Sequence, residues 1–152
     1  MTAIAAWAKT RKFGKAIRAR AILSKMVEMH KSGAISAPPN TYCYTAVINS
    51  CAYSENEELE KRYALQIAVD TYKELIDSAY GEPNAVTFST MITALRNLMP
   101  ASEKRAGGVR TIFRKCADDG QVEELFLRRL QSALNTAQLR ELVGDHVISS
   151  DG

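Results

Sequence analysis

Residues able to support catalysis or metal binding are few in this sequence. The cysteines Cys43, Cys51 and Cys116 include no CxxC pair, and His30 and His146 stand apart from them along the chain. Zinc sites and disulfide frameworks need clustered or paired ligands, so we expect three reduced, buried thiols instead. There is also no phosphate-binding glycine loop, no HExxH and no GxSxG. We predict no catalytic residue, no metal site and no cofactor, and we interpret the acidic run at 55–60 as a solvated helix start.

Charge offers a different kind of chemistry, the binding of a polyanion. Residues 1–40 carry eight basic residues against one acidic residue, residues 41–84 carry three against eight, and residues 85–152 carry nine against eight. Clustered cations attract phosphates, so the basic end is the first candidate for a nucleic-acid contact. The predicted phosphate contacts are Lys12, Lys15, Arg18 and Lys25. A solvated helical face would carry the same charges, and both interpretations stay open.

Length and hydropathy indicate a globular chain. With 152 residues and 46% hydrophobic content, it has enough apolar surface for one core or a short run of stacked repeats. No stretch approaches the roughly 18 apolar residues of a membrane span, and no secretory signal opens the chain. We therefore expect no membrane partner and no small-molecule substrate. Residues 1–27 hold seven bases and no acid, which also fits a mitochondrial or plastid transit peptide.

The secondary structure that positions these charges can be predicted from a sequence segment that occurs twice in the chain, called here the repeated phrase. PPNTYCYTAVINSC, residues 38–51, returns 44 positions later as EPNAVTFSTMITAL, residues 82–95. Each copy follows a proline and leads through a turn into a longer amphipathic segment, which predicts helical hairpins. The β-branched residues of TYCYTAV favour a strand, but repetition at the same offset from proline outweighs them. We expect the preceding basic helix to end at Gly33, and the helix containing Gly107-Gly108 to be distorted or to start late.

A single hairpin cannot bury its apolar face alone, so neighbouring hairpins must stack. The predicted fold class is therefore all-α, a right-handed superhelical solenoid. We divide the chain into a partial first repeat at 1–40, a complete repeat with an insertion at 41–84, a third repeat at 85–119, capping helices at 120–143 and a flexible tail at 144–152.

The repeated phrase resembles the opening of the pentatricopeptide repeat, whose first helix typically begins Pro-Asp/Asn, two variable residues, Thr-Tyr-Asn-Thr-Leu-Ile. AIAAWAK before the basic second helix is similar to the end of that first helix, so the resemblance covers about residues 1–117. FRKCADDGQVEELFLRRL is similar to the tail of some algal members. The resemblance implies sequence-biased binding of single-stranded RNA in organellar RNA processing, stability or translation, in a mitochondrion or chloroplast. Further partners would be proteins of an RNA-processing complex.

The resemblance also implies which side chains contact RNA. Repeats of this kind read one base each through two or three side chains. A polar residue early in the first helix and the last residue of the repeat contact the base edge, and a residue near the helix start lies between bases. Carried onto this sequence, Thr45 and Asn84 form the one complete pair, which the family pattern assigns to adenine. Tyr42 would lie between bases.

The other repeats are matched only in part. Val86 and Ser89 hold the places of Tyr42 and Thr45 in the third repeat, whose closing residue is Asp118 or Asp119. Asn40 closes the first repeat. Lys9 occupies the position at which the family often has a phosphate-contacting lysine. The equivalent positions of the second and third repeats are Tyr53 and Asn97, which implies weak binding of the RNA backbone.

Two departures from the family pattern stand out. The repeat interval of 44 residues exceeds a unit of about 35, and we expect the extra residues in the turn SENEELE and the loop DSAYGE. The chain also opens inside a first helix, which is typical of a fragment or a truncated gene model.

Several alternatives stay open at this point. The alternative role of Thr45 and Ser89 is that of small packing residues. For Asn40 and Asn84 the alternative is a helix N-cap, and for Tyr42 it is an aromatic side chain of the core. The whole chain also fits a helical-repeat scaffold that binds protein. Acidic residues of 41–84 on the concave face would favour the scaffold, because they repel phosphate.

Overall fold

The computed structural model describes residues 14–54 and 57–151, with side chains through Gly144. The regular elements of these ranges are seven helices, and the described residues contain no strand. The helices are α1 (Lys15–Lys31), α2 (Thr41–Ala52), α3 (Glu58–Asp77), α4 (Ala85–Leu98), α5 (Glu103–Asp118), α6 (Glu124–Ala133) and α7 (Thr136–Asp151). The all-α class predicted from the sequence is confirmed, including helices for both copies of the repeated phrase.

Helix α1 ends as predicted at Gly33. This glycine has a φ of 82°, a left-handed conformation that side chains with a Cβ rarely adopt. The Gly33 amide donates to the His30 carbonyl at 3.1 Å, and the Ala34 amide donates to the Met29 carbonyl at 2.9 Å. This pair of bonds is a Schellman motif, which satisfies carbonyls that the helix end leaves open.

Helix α2 lies at the centre of the packing and contacts α1, α3 and α4. Helix α4 then contacts α5 and α6, and α6 contacts α7, so α2, α4 and α6 lie side by side in chain order. Each contributes a fully buried aromatic side chain near its start, namely Tyr44, Phe88 and Phe126. Burying a side chain of this size stabilises the fold by roughly 1.5–3 kcal/mol. Ile48, one turn further along α2, is also fully buried.

Helix α5 corrects the expectation of a distorted or late start at Gly107-Gly108. The helix begins at Glu103 and continues unbroken through both glycines to Asp118. The Ser102 hydroxyl caps it by accepting from the Arg105 amide at 3.2 Å. A Cβ added at Gly108 would lie 3.4 Å from Leu95 Cδ1, an ordinary van der Waals contact, and one added at Gly107 would meet nothing within 4 Å. The helix therefore continues through both glycines despite a propensity cost of about 1 kcal/mol each.

Two further boundaries differ from expectation. Helix α3 has 20 residues and α5 has 16, so part of the insertion lengthens a helix rather than only the turn and the loop. Helix α7 continues to Asp151, so residues expected to form a flexible tail from 144 onward are helical through Asp151.

Candidate nucleic-acid interface

The two copies of the repeated phrase begin with the same hydrogen-bonded cap. Asn40 Oδ1 accepts from the Cys43 amide at 3.1 Å, and Asn84 Oδ1 accepts from the Thr87 amide at 3.0 Å. In return, Cys43 Sγ accepts from the Asn40 amide at 3.3 Å and Thr87 Oγ1 accepts from the Asn84 amide at 3.2 Å. The N-cap interpretation is therefore confirmed. Both asparagines are nonetheless exposed, so this local role leaves their amide groups open to a ligand.

Tyr42 and Val86 are the second residues of α2 and α4, and both face solvent. Their exposed fractions are 56% and 58%. The alternative of Tyr42 as a core aromatic is therefore wrong. Because α2 and α4 pack against each other, these two apolar side chains occupy equivalent places on neighbouring helices.

Thr45 and Ser89 lie deeper than Tyr42 and Val86. They are 8% and 5% exposed, which agrees with the alternative of small packing residues. Thr45 and Ile48 are three residues apart and therefore share one side of α2, a helix that α1, α3 and α4 contact. Thr45 Oγ1 lies 2.8 Å from Thr87 Oγ1 in the next first helix.

Thr87 connects the two members of the predicted reading pair. Its hydroxyl donates to Asn84 Oδ1 at 3.1 Å and lies 2.8 Å from the Thr45 hydroxyl. Either hydroxyl of this pair can be the donor, because a hydroxyl both donates and accepts and its proton rotates between partners. The Asn84 oxygen is occupied by the cap, so its Nδ2 group is the part that can donate outward. The pair would thus present a hydroxyl, at Thr45, and an amide donor, at Asn84.

Sequence reasoning missed Thr87 and Leu125. Thr87 is the third residue of its helix, and the hydroxyl at that place in a repeated phrase was the available signal. Leu125 is the second residue of α6 and is 48% exposed, which matches the place of Tyr42 and Val86. Its signal was weak because no proline-asparagine pair precedes it.

The structure places the predicted phosphate contacts in different environments. Lys15 is 1% exposed and its Nζ lies 5.9 Å from the ring centroid of Tyr53, so the prediction that it contacts phosphate is wrong. A cation over an aromatic face is stabilised by the ring quadrupole. Arg18 and Lys25 are exposed on α1. Lys9 and Lys12 lie outside the described residues, as does Trp7.

The residues at the positions equivalent to Lys9 in the later repeats, Tyr53 and Asn97, make contacts within the protein. Tyr53 lies beneath Lys15, and Asn97 Nδ2 donates to the Ala52 carbonyl at the end of α2, at 2.9 Å. Of the two candidate closing residues, Asp119 pairs with Lys115 at 3.1 Å, and Asp118 is exposed.

Other site chemistry is limited in the part of the chain that the structure describes. No group of three or more His, Cys, Asp or Glu there could hold a metal ion. No described helix has the length and apolar character to cross a membrane. The three cysteines are buried, as predicted, and none of them forms a disulfide. Burial raises the pKa of the Cys51 thiol to about 12, so it stays protonated and unreactive at neutral pH.

Comparisons with protein-family models, with curated proteins and with solved structures found no match to this chain. The assignment of the interface therefore depends on its own geometry.

Proposed function

We propose that this chain is a single-stranded RNA-binding module of the pentatricopeptide-repeat type, acting in organellar RNA processing, stability or translation. Its hairpins would stack as a right-handed solenoid. The packing order supports this, because α2, α4 and α6 lie side by side and each is followed along the chain by its own second helix. Stacked hairpins of this kind form an extended surface along their first helices.

The observation that carries the proposal is the matched exposure of Tyr42 and Val86. Two neighbouring first helices each place a large apolar side chain in solvent two residues after an exposed asparagine cap. Aromatic side chains such as Tyr42 are sites where unstacked bases stack, irrespective of sequence, and Val86 presents apolar surface at the matching position. The outward Nδ2 groups of Asn40 and Asn84 would add donors for base edges.

Charge distribution supports RNA over a protein-binding scaffold. Helices α2 and α4 contain no acidic residue. The acidic residues of the helical part of segment 41–84 lie on the second helix, α3, at Glu58, Glu60, Asp70, Glu74 and Asp77. Helices α2 and α4 therefore add no acidic residue that would repel phosphate, whereas α6 carries Glu124 beside Leu125 and Glu82 is exposed shortly before Asn84. Acidic residues on α2 and α4 would have favoured the scaffold.

The test is binding of a fluorescent single-stranded RNA, measured by anisotropy at low salt, for the wild type and Tyr42→Ala. Base–aromatic stacking is worth about 1–3 kcal/mol per base, so affinity should fall by about 5- to 150-fold. Ile76→Ala is a matched control, since this side chain is 39% exposed on α3, and its affinity should equal that of the wild type. Equal binding of duplex RNA, or no effect of Tyr42→Ala, would contradict the proposal and favour the scaffold.

A further inference from the structure

A groove lies between the two second helices α3 and α5. Both helices contact α4, but they make no substantial contact with each other, so the space between them stays open. The groove has a volume of about 410 Å³. Its apolar lining consists of Leu65 and Val69 on α3 together with Leu95 and Met99 at the end of α4.

The groove lies away from the residues proposed to bind RNA. Val86 is the second residue of α4, whereas Leu95 is near the end of that helix. At 1.5 Å per residue, the two positions are about 14 Å apart along the helix axis. A ligand in the groove would therefore leave the proposed RNA-binding surface open.

The size and lining of the groove suit a helix of a second molecule. Leu65, Val69 and Met99 pack against the core but are only partly buried. From Arg62 to Val69 the wall formed by α3 is about 10 Å long, which matches two turns of a helix. Gly108 also lines the groove, and having no side chain it leaves space there. Amphipathic helices bind in apolar grooves of this kind through residues spaced i, i+3, i+4 and i+7.

The charge of the groove is positive on both walls. Arg62 on α3 and Lys104 on α5 line it and are exposed. Neither takes part in an ion pair between described residues, and the described lining includes no acidic side chain. Asp70 lies beside the lining and accepts a hydrogen bond from Gln66 at 2.9 Å. The groove is thus complementary to a ligand that is apolar along its centre and acidic along its sides.

We propose that the groove between α3 and α5 binds an acidic amphipathic helix of a partner protein. Apolar side chains of that helix pack on Leu65, Val69 and Met99, and its carboxylates pair with Arg62 and Lys104. An RNA strand is less suited to this groove, because unstacked bases bind on aromatic side chains and the described lining contains none.

The test is an anisotropy titration of a labelled peptide with the full chain in the absence of RNA, so its result is independent of the proposed function. The probe is a fluorescein-labelled peptide of about 18 residues, long enough to form a helix. Its leucines are spaced i, i+3, i+4 and i+7, and glutamates flank them on both sides. We expect binding with a Kd in the micromolar range, and the same peptide with alanine in place of leucine should not bind.

Two glycine variants test the position of the site. Gly108→Leu places a side chain in the groove and should weaken binding of the probe by about tenfold or more. Gly107→Leu is the matched control, because Gly107 is the neighbouring residue, does not line the groove and would have nothing within 4 Å of an added Cβ. It should bind the probe as the wild type does.

Two charge variants test the complementarity, and they change only exposed side chains. Arg62→Gln combined with Lys104→Gln should weaken binding by about 2- to 30-fold. Lys73→Gln combined with Arg114→Gln removes the same charge from exposed positions on the same two helices outside the lining, and should have a much smaller effect. Circular dichroism checks that each variant is folded, and the charge variants decide the outcome if Gly108→Leu loses helicity.

Three results would overturn the proposal. The first is no binding of the probe at concentrations up to about 1 mM. The second is an equal loss of binding for both members of either variant pair, which would indicate non-specific attraction or a different site. The third is displacement of the probe by single-stranded RNA whose own affinity falls with Arg62→Gln and Lys104→Gln, which would assign the two cations to RNA.

Discussion

Replacing Thr87 by valine should destabilise the protein much more than its small chemical change suggests. Valine keeps the shape of threonine but removes the hydroxyl, and Thr87 is fully buried. The hydroxyl bonds to the Asn84 amide, to Asn84 Oδ1 and to the Thr45 hydroxyl. The Thr45 hydroxyl is buried, and leaving a buried polar partner unsatisfied costs about 1–3 kcal/mol. In a chain of this size, each kcal/mol lowers the melting temperature by roughly 2–4 °C.

A double-mutant cycle isolates the contact between α2 and α4. Thr45→Val alone removes one bond and should cost about 0.5–1.5 kcal/mol. Combined with Thr87→Val, the total should be smaller than the sum of the single effects by about 0.5 kcal/mol or more, because the hydroxyls are direct partners. Urea denaturation followed by circular dichroism measures each free energy of unfolding, and an unchanged m-value shows that the folded states remain comparable.

Thr93→Val is the matched control for Thr87→Val. Thr93 is 7% exposed on the same helix, but its hydroxyl bonds only the Ser89 carbonyl within α4, at 3.1 Å. Such a bond adds little to a carbonyl that lies in the helix ladder, so this change should leave stability almost unaltered. A Thr87→Val effect no larger than that of Thr93→Val, or strict additivity with Thr45→Val, would refute the hydroxyl network as the link between the two helix starts.

Three further predictions concern the core, a buried thiol and the basic end. Ile48→Ala removes a fully buried side chain and should lower the free energy of unfolding by about 2–5 kcal/mol. Ile76→Ala, at 39% exposure, should cost less, and equal losses in urea denaturation would contradict the central position of α2. Burial raises the pKa of Cys51 from 9.0 to about 12, so the folded state holds this proton more tightly and its contribution is complete below pH 9.0 and lost as pH rises toward about 12. The stability advantage of the wild type over Cys51→Ala should therefore shrink across that range, and a constant difference would refute the assignment. RNA affinity should fall with salt through counterion release, and Arg18→Gln with Lys25→Gln should flatten that slope in an anisotropy titration. An unchanged slope would assign both to a solvated outer face.

Local sequence was sufficient to predict the starts of α2 and α4 and the end of α1. Asn40 and Asn84 after proline, and Gly33 after a basic helix, each act through bonds to residues within a few positions along the chain. Capping of this kind needs no tertiary partner, so it can be predicted from the order of residues along the chain alone. The buried Ile48 could also be predicted, because helical periodicity marks the apolar side of α2.

Tertiary structure decided the exposure of the candidate site. Thr45 and Tyr42 stand three residues apart on one helix, yet one is 8% and the other 56% exposed. The difference arises because Thr87 of α4, a residue 42 positions away, lies against Thr45. Lys15 looked like a phosphate-binding lysine by charge, but it is buried and its Nζ lies near the ring of Tyr53, the residue that follows α2. Periodicity along a single helix predicts its apolar side, but burial depends on which side chains other helices bring to each position, and that is set only when the hairpins pack together.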